Sequence, residues 1–146
     1  MKSSLLFVLL FALIAFQCFS SSGIESVNAS LKPQSRMRGV KELTSRNFNS
    51  YIQRHKYVLV EFYAPWCPHS IENSRNIKRL GRKLLGSRKF KVAKINGYRY
   101  NSIAKQVSLD GFPTVYLFVN GKKVEYKGYS LAPRKVIKWA RKQVKQ

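Results

Sequence analysis

Residues Tyr57-Val58-Leu59-Val60-Glu61-Phe62-Tyr63-Ala64 form a run of aromatic and β-branched side chains broken by a single carboxylate. A strand that is apolar on both faces belongs in the middle of a sheet, with packing above and below it. The run leads into Pro65-Trp66-Cys67-Pro68, and proline is favoured in the first turn of a helix. The pattern therefore predicts a central strand followed by a helix from Pro68 to about Leu85, with Cys67 at the helix N-terminus. Downstream, Phe90 to Ile95 reads as a strand, Ser102 to Val107 as a short helix, and Thr114 to Val119 as a strand stopping at Asn120-Gly121. An Asn-Gly pair between β-prone runs marks a tight hairpin, so Lys122 to Tyr126 is expected to return antiparallel. From Ala132 to Lys145, Val136, Ile137, Ala140 and Val144 share one helical face, and most of the Lys and Arg take the other. Strands alternating with helices, then a hairpin and a last helix, predict an α/β fold: one central mixed sheet flanked by helices.

The length, 146 residues, suits a single domain with one core, and the 45% of hydrophobic residues is that of a globular chain. Met1-Lys2-Ser3-Ser4 followed by the apolar run Leu5 to Phe16 has the form of a secretory signal peptide. That run is short for a membrane span, which needs about 20 residues, so no stable span is expected. Cleavage is expected near residues 20–23, leaving an exposed linker over 21–39 and a domain over 40–146. Asn28-Ala29-Ser30 is a glycosylation sequon in that linker. The chain has two cysteines, and cleavage removes Cys18, leaving Cys67 alone. An odd cysteine in an oxidising compartment is buried and inert, paired with another molecule, or a working thiol. At a helix start the thiolate is favoured by free amides and the helix dipole, which lower a cysteine pKa from about 8.5 toward roughly 3.5–7.5. A protonated His69 would add a positive neighbour.

From Val60 to Ser70 the sequence Val-Glu-Phe-Tyr-Ala-Pro-Trp-Cys-Pro-His-Ser resembles the thioredoxin domain of the protein disulfide isomerase family. Lys94 in Val92-Ala93-Lys94-Ile95, the turn Gly111-Phe112-Pro113-Thr114, and Asn120-Gly121-Lys122 agree with it in order and spacing. The resemblance covers roughly residues 40–146 and implies a thioredoxin-like fold with Cys67 as its nucleophile. It departs at Ser70, where dithiol members carry the resolving cysteine. A dithiol stores two electrons as an internal disulfide and frees a stuck client by internal attack; a lone thiolate does neither. The resemblance thus implies a Cys-x-x-Ser monothiol protein that supports exchange, isomerisation and client capture, and poorly supports net oxidation or reduction. Client thiols or glutathione would resolve its mixed disulfides.

The resemblance also assigns other positions. Glu61 matches a buried glutamate that moves protons for the resolving cysteine, with Lys94 close by. With serine at position 70, a structural ion pair is an equal reading. Ser130 stands where the family has a mobile arginine. Pro113 matches a cis-proline that leaves the preceding backbone free to pair with an extended client. Trp66, Pro68, Phe112 and Pro113 are the expected client surface. No cofactor and no metal are expected.

The 28 Lys and Arg against 6 Asp and Glu give a formal charge of +22, which bears on partners rather than fold. The crowding from Arg75 to Lys91 reads either as a polyanion contact or as a solvated face. The last residues, Lys142-Gln143-Val144-Lys145-Gln146, are not a retrieval signal of the Lys-Asp-Glu-Leu type, so the endoplasmic reticulum lumen and secretion are both expected locations. The competing function is a non-catalytic binding or chaperone module in which Cys67 is silent.

Overall fold

The computed structural model describes residues 36–128 and 130–145; the expected leader, Cys18 and the sequon at Asn28 lie outside them. The described elements run β1 (Val40–Leu43), α1 (Phe48–Arg54), β2 (Tyr57–Tyr63), α2 (Pro68–Leu84), β3 (Phe90–Asn96), α3 (Asn101–Gln106), β4 (Thr114–Val119), β5 (Lys122–Glu125) and α4 (Pro133–Gln143). The strands form a five-stranded sheet in the order β1-β3-β2-β4-β5. β3 pairs parallel with both β1 and β2, whereas β4 is antiparallel to β2 and to β5.

All seven residues of β2 are buried, which is the cost of a central position and the reason its sequence is so apolar. Alternation sends Val58, Val60 and Phe62 to one face with Phe48, Ile52 and Ile103 of α1 and α3. Tyr57 and Leu59 face the other way, against Ile77, Leu80 and Leu84 of α2 and Val136 and Ala140 of α4. Each such side chain removed from water contributes roughly 1.5–3 kcal/mol. At the hairpin Asn120 and Gly121 take φ of 47° and 82°, the left-handed pair that a two-residue turn requires.

The structure adds two elements that the sequence pattern leaves unread, β1 and α1. β1 has four residues of which only Leu43 is buried, and α1 has seven with Phe48 and Ile52 buried, so neither carries a full period. Several boundaries also move by a residue or two. α2 ends at Leu84, the last helix covers Pro133–Gln143, and β5 stops at Glu125, although the Tyr126 N–H still donates to Val115 O at 2.9 Å and its ring packs 5.0 Å from Trp139. Close backbone approach anchors β1 to α2: a Cβ on Gly81 would lie 2.4 Å from Val40 Cγ2.

Candidate active site

Cys67 closes the loop between β2 and α2 and occupies the N-cap of the helix, with Pro68 in the first turn. Its N–H donates to Ala64 O at 3.2 Å, and its carbonyl accepts the Ile71 N–H at 3.0 Å, so the sulfur stands at the mouth of the helix. The helix start lowers the thiol pKa. The Ser70 amide contributes most, burial opposes it, and the Ser70 hydroxyl and His69 amide add to the lowering. Cys67 is 7% exposed, and its Sγ donates to the Phe112 carbonyl at 3.5 Å. The Phe112-Pro113 peptide bond is cis.

Ser70 is fully buried under this arrangement, and its Oγ accepts the Ala64 N–H at 3.3 Å. The position therefore links β2 to α2 as well as facing the sulfur. His69 is exposed and reaches the thiol through its backbone amide; its side of the helix lines a groove of about 470 Å³ shared with Pro113, Asn73, Tyr126 and Ser130.

Glu61 points to the α2 face of the sheet, 2% exposed, and accepts a 2.6 Å hydrogen bond from Asn73 Nδ2. Burial pushes its carboxyl up to about 7, against the pull of the Asn73 hydrogen bond and of Lys94, and with the push of Glu42. Lys94 is its register neighbour across β2 and β3, and Lys94 Nζ also lies 3.1 Å from Glu42 Oε2 on β1. The lysine's charge is thus shared with a partially exposed acid at the sheet edge rather than devoted to Glu61.

Trp66 stands 60% exposed beside the thiol, its ring 6.4 Å from Phe112 and 5.8 Å from Tyr98. Phe112 is held close to the sheet because residue 97 is glycine; a Cβ there would lie 2.6 Å from Phe112 Cε1. The structure so gathers Cys67, Ser70, Trp66, Pro68, Phe112 and Pro113 at one edge, with Glu61 and Lys94 in the layer beneath. Sequence reasoning passed over two members, Asn73 and Tyr98. Asn73 was legible in principle: it lies one turn before Ile77 and one after Ser70 on the buried face of α2, where a polar residue needs a polar partner. Tyr98 lies in a loop, and no periodicity marks it. Among the described residues no cluster of His, Cys, Asp and Glu could hold a metal, and no helix is long and apolar enough to cross a membrane.

Residues 39–142 match the family model described as Thioredoxin. The chain belongs to the thioredoxin family. Its domain is a thioredoxin domain of the protein disulfide isomerase group: it is 37% identical over 119 residues to protein disulfide-isomerase 5-2 of Arabidopsis thaliana, covering 75% of this chain and 24% of that protein. Against the protein disulfide-isomerase of Drosophila melanogaster the identity is 34% over 105 residues, covering 71% and 21%. The chain therefore spans about a quarter or less of these relatives. Among solved structures, the first thioredoxin domain of mouse protein disulfide-isomerase A4 superposes with a TM-score of 0.66 at 28% identity, covering 71% of this chain and 74% of that one.

Proposed function

We propose that this thioredoxin domain is a monothiol disulfide-exchange protein that captures and isomerises cysteine-containing clients folding in the secretory pathway, with Cys67 as nucleophile. The observation that carries the reading is a sulfur at a helix N-cap, favoured as thiolate by the Ser70 and His69 amides, against the carbonyl of a cis Phe112-Pro113 peptide. The thiolate attacks one sulfur of a client disulfide; the new Sγ–S bond forms as the client S–S bond breaks, and the displaced client thiolate takes a proton from water. A second client thiolate, or glutathione, then attacks the mixed disulfide and returns Cys67 as thiolate, with no net change in oxidation state.

In this scheme Ser70 stabilises the thiolate and His69 borders the approach. Trp66, Pro68, Phe112 and Pro113 form the client surface, which Tyr98 extends. Glu61, assisted by Lys94 and Asn73, can hold or release a proton near neutral pH. The working protein comprises the domain over 40–146 and a linker over 21–39 with sugar on Asn28, the leader over 1–20 being cleaved near residues 20–23, and it resides in the endoplasmic reticulum lumen or outside the cell.

The test is the pH dependence of Cys67 alkylation, with Cys67→Ser as background. An apparent pKa below about 7.5 is the expected result and makes client trapping as mixed disulfides the next step. One observation favours a second reading, a binding or chaperone module with a silent or dimer-forming cysteine: Cys67 is only 7% exposed. A pKa near about 8.5, or no reaction, selects that module.

A further inference from the structure

We infer that the groove between the C-terminal end of α2 and helix α4 is a second binding site, built for a linear sulfated polysaccharide. The groove encloses about 940 Å³, and its lining includes seven Lys or Arg and no Asp or Glu. Among the described residues none of these cations lies within ion-pair distance of a carboxylate. Arg134, Lys138 and Arg141 recur at i, i+4 and i+7, which sets them in one row spanning about 10 Å along α4. Lys83 of α2 belongs to the same lining.

At its start this placement works against the helix, although Arg141 and Lys142 stand in the last turn, where the dipole favours them. α4 has no acid in its first turn, and Arg134 and Lys135 stand there instead, where the helix dipole disfavours cations. Cations at i and i+4 also repel each other. Sulfate groups arriving from outside would relieve both costs and release the counterions that the row otherwise holds.

The shape selects among polyanions. Trp139 is half-buried and held edge-on by Tyr126 at 5.0 Å, forming a groove wall beside the cations. A half-buried wall suits the apolar face of a sugar ring and does not project as a wedge between bases or into a bilayer, and the exposed cations spaced along α4 beside it match the repeating charge of a linear chain. The secretory reading of the leader points the same way, since sulfated glycans are abundant on that route. Cys67 and Lys83 stand at opposite ends of α2, about 24 Å apart at ~1.5 Å per residue, so a bound glycan leaves the thiol accessible.

The probe is a size-defined, labelled heparin oligosaccharide titrated against the mature chain at physiological salt. R134Q/K138Q/R141Q is expected to weaken binding by roughly 50-fold, from the loss of three sulfate contacts. R75Q/K78Q/R79Q, which removes an equal charge from the exposed outer face of α2, is expected to change it less than about threefold by screened long-range attraction alone. All six side chains are exposed. Matching thermal melts for the two variants establish that both are folded, and the two-site variant R134Q/R141Q gives a second reading with about tenfold loss. Equal weakening by the α2 and α4 sets would overturn the groove. Displacement of the probe by single-stranded RNA or phosphatidylserine vesicles at lower charge concentration than by unlabelled heparin would overturn the polysaccharide. Slower Cys67 alkylation with the glycan bound would overturn the separation of the two sites.

Discussion

The two ends of α2 treat negative charge in opposite ways. At the N-terminal end backbone amides and a buried hydroxyl favour the thiolate form of Cys67. At the C-terminal end the chain supplies only cations, on long exposed side chains of α2 and α4. Donors fixed by a helix turn cannot move away and are partly shielded from solvent; Lys and Arg heads in water are screened by salt and surrender side-chain entropy on binding. The first kind of site is suited to tuning one atom, the second to holding a polymer.

Three measurements would sharpen or break this contrast. The largest effect belongs to the buried end. Glu61 has its pKa raised from 4.5 to about 7, so its contribution to stability is fully present below the unfolded value and is lost as pH rises through the folded one. Between about pH 4 and pH 8 the wild-type protein should lose about 3 kcal/mol relative to Glu61→Gln, a variant whose amide oxygen still accepts from Asn73. Urea unfolding at both pH values checks it; a difference independent of pH would mean that the carboxylate is stabilised where it sits and that this end is not a low-polarity layer.

Salt gives the next effect. Raising it from about 0.05 to 0.2 M should weaken heparin binding by roughly 30-fold, while the alkylation rate of Cys67 at fixed pH moves less than about twofold. A thiol rate that fell with salt as steeply as glycan binding would show that exposed cations, rather than amides, hold the thiolate. The smallest effect concerns position 70. Ser70→Cys should raise the rate of insulin reduction by at least about tenfold by providing a resolving thiol. A wild-type rate already equal to that of the variant would remove the monothiol reading.

How far these features were legible differs along the chain. β2, the start of α2, β4 and the Asn120-Gly121 turn were readable because each is dictated by local chemistry: a doubly buried strand must be apolar, and a two-residue turn needs left-handed backbone. β1 was not, because four residues with one buried side chain are a strand only by virtue of pairing with β3, some fifty positions away. The same holds within the site. Cys67, Ser70 and Pro113 stood out through spacing and resemblance, whereas Asn73 became a partner of Glu61 only once α2 lay on the sheet.

By itself the sequence determined a buried β-strand running into a proline-started helix, a cysteine at their junction, and an excess of positive charge. It also determined that Glu61 would stand in an apolar run. Only the tertiary structure decided what those features meet: that Phe112 O reaches the sulfur, that Asn73 rather than Lys94 alone attends Glu61, and that the cations of α4 line a groove with Lys83 while those of Arg75 to Arg79 face open water. The physical reason is range. Backbone preference and side-chain periodicity act over a few residues and are written in order along the chain, whereas desolvation, charge sharing and concavity depend on which distant surfaces the folded sheet brings within a few ångströms.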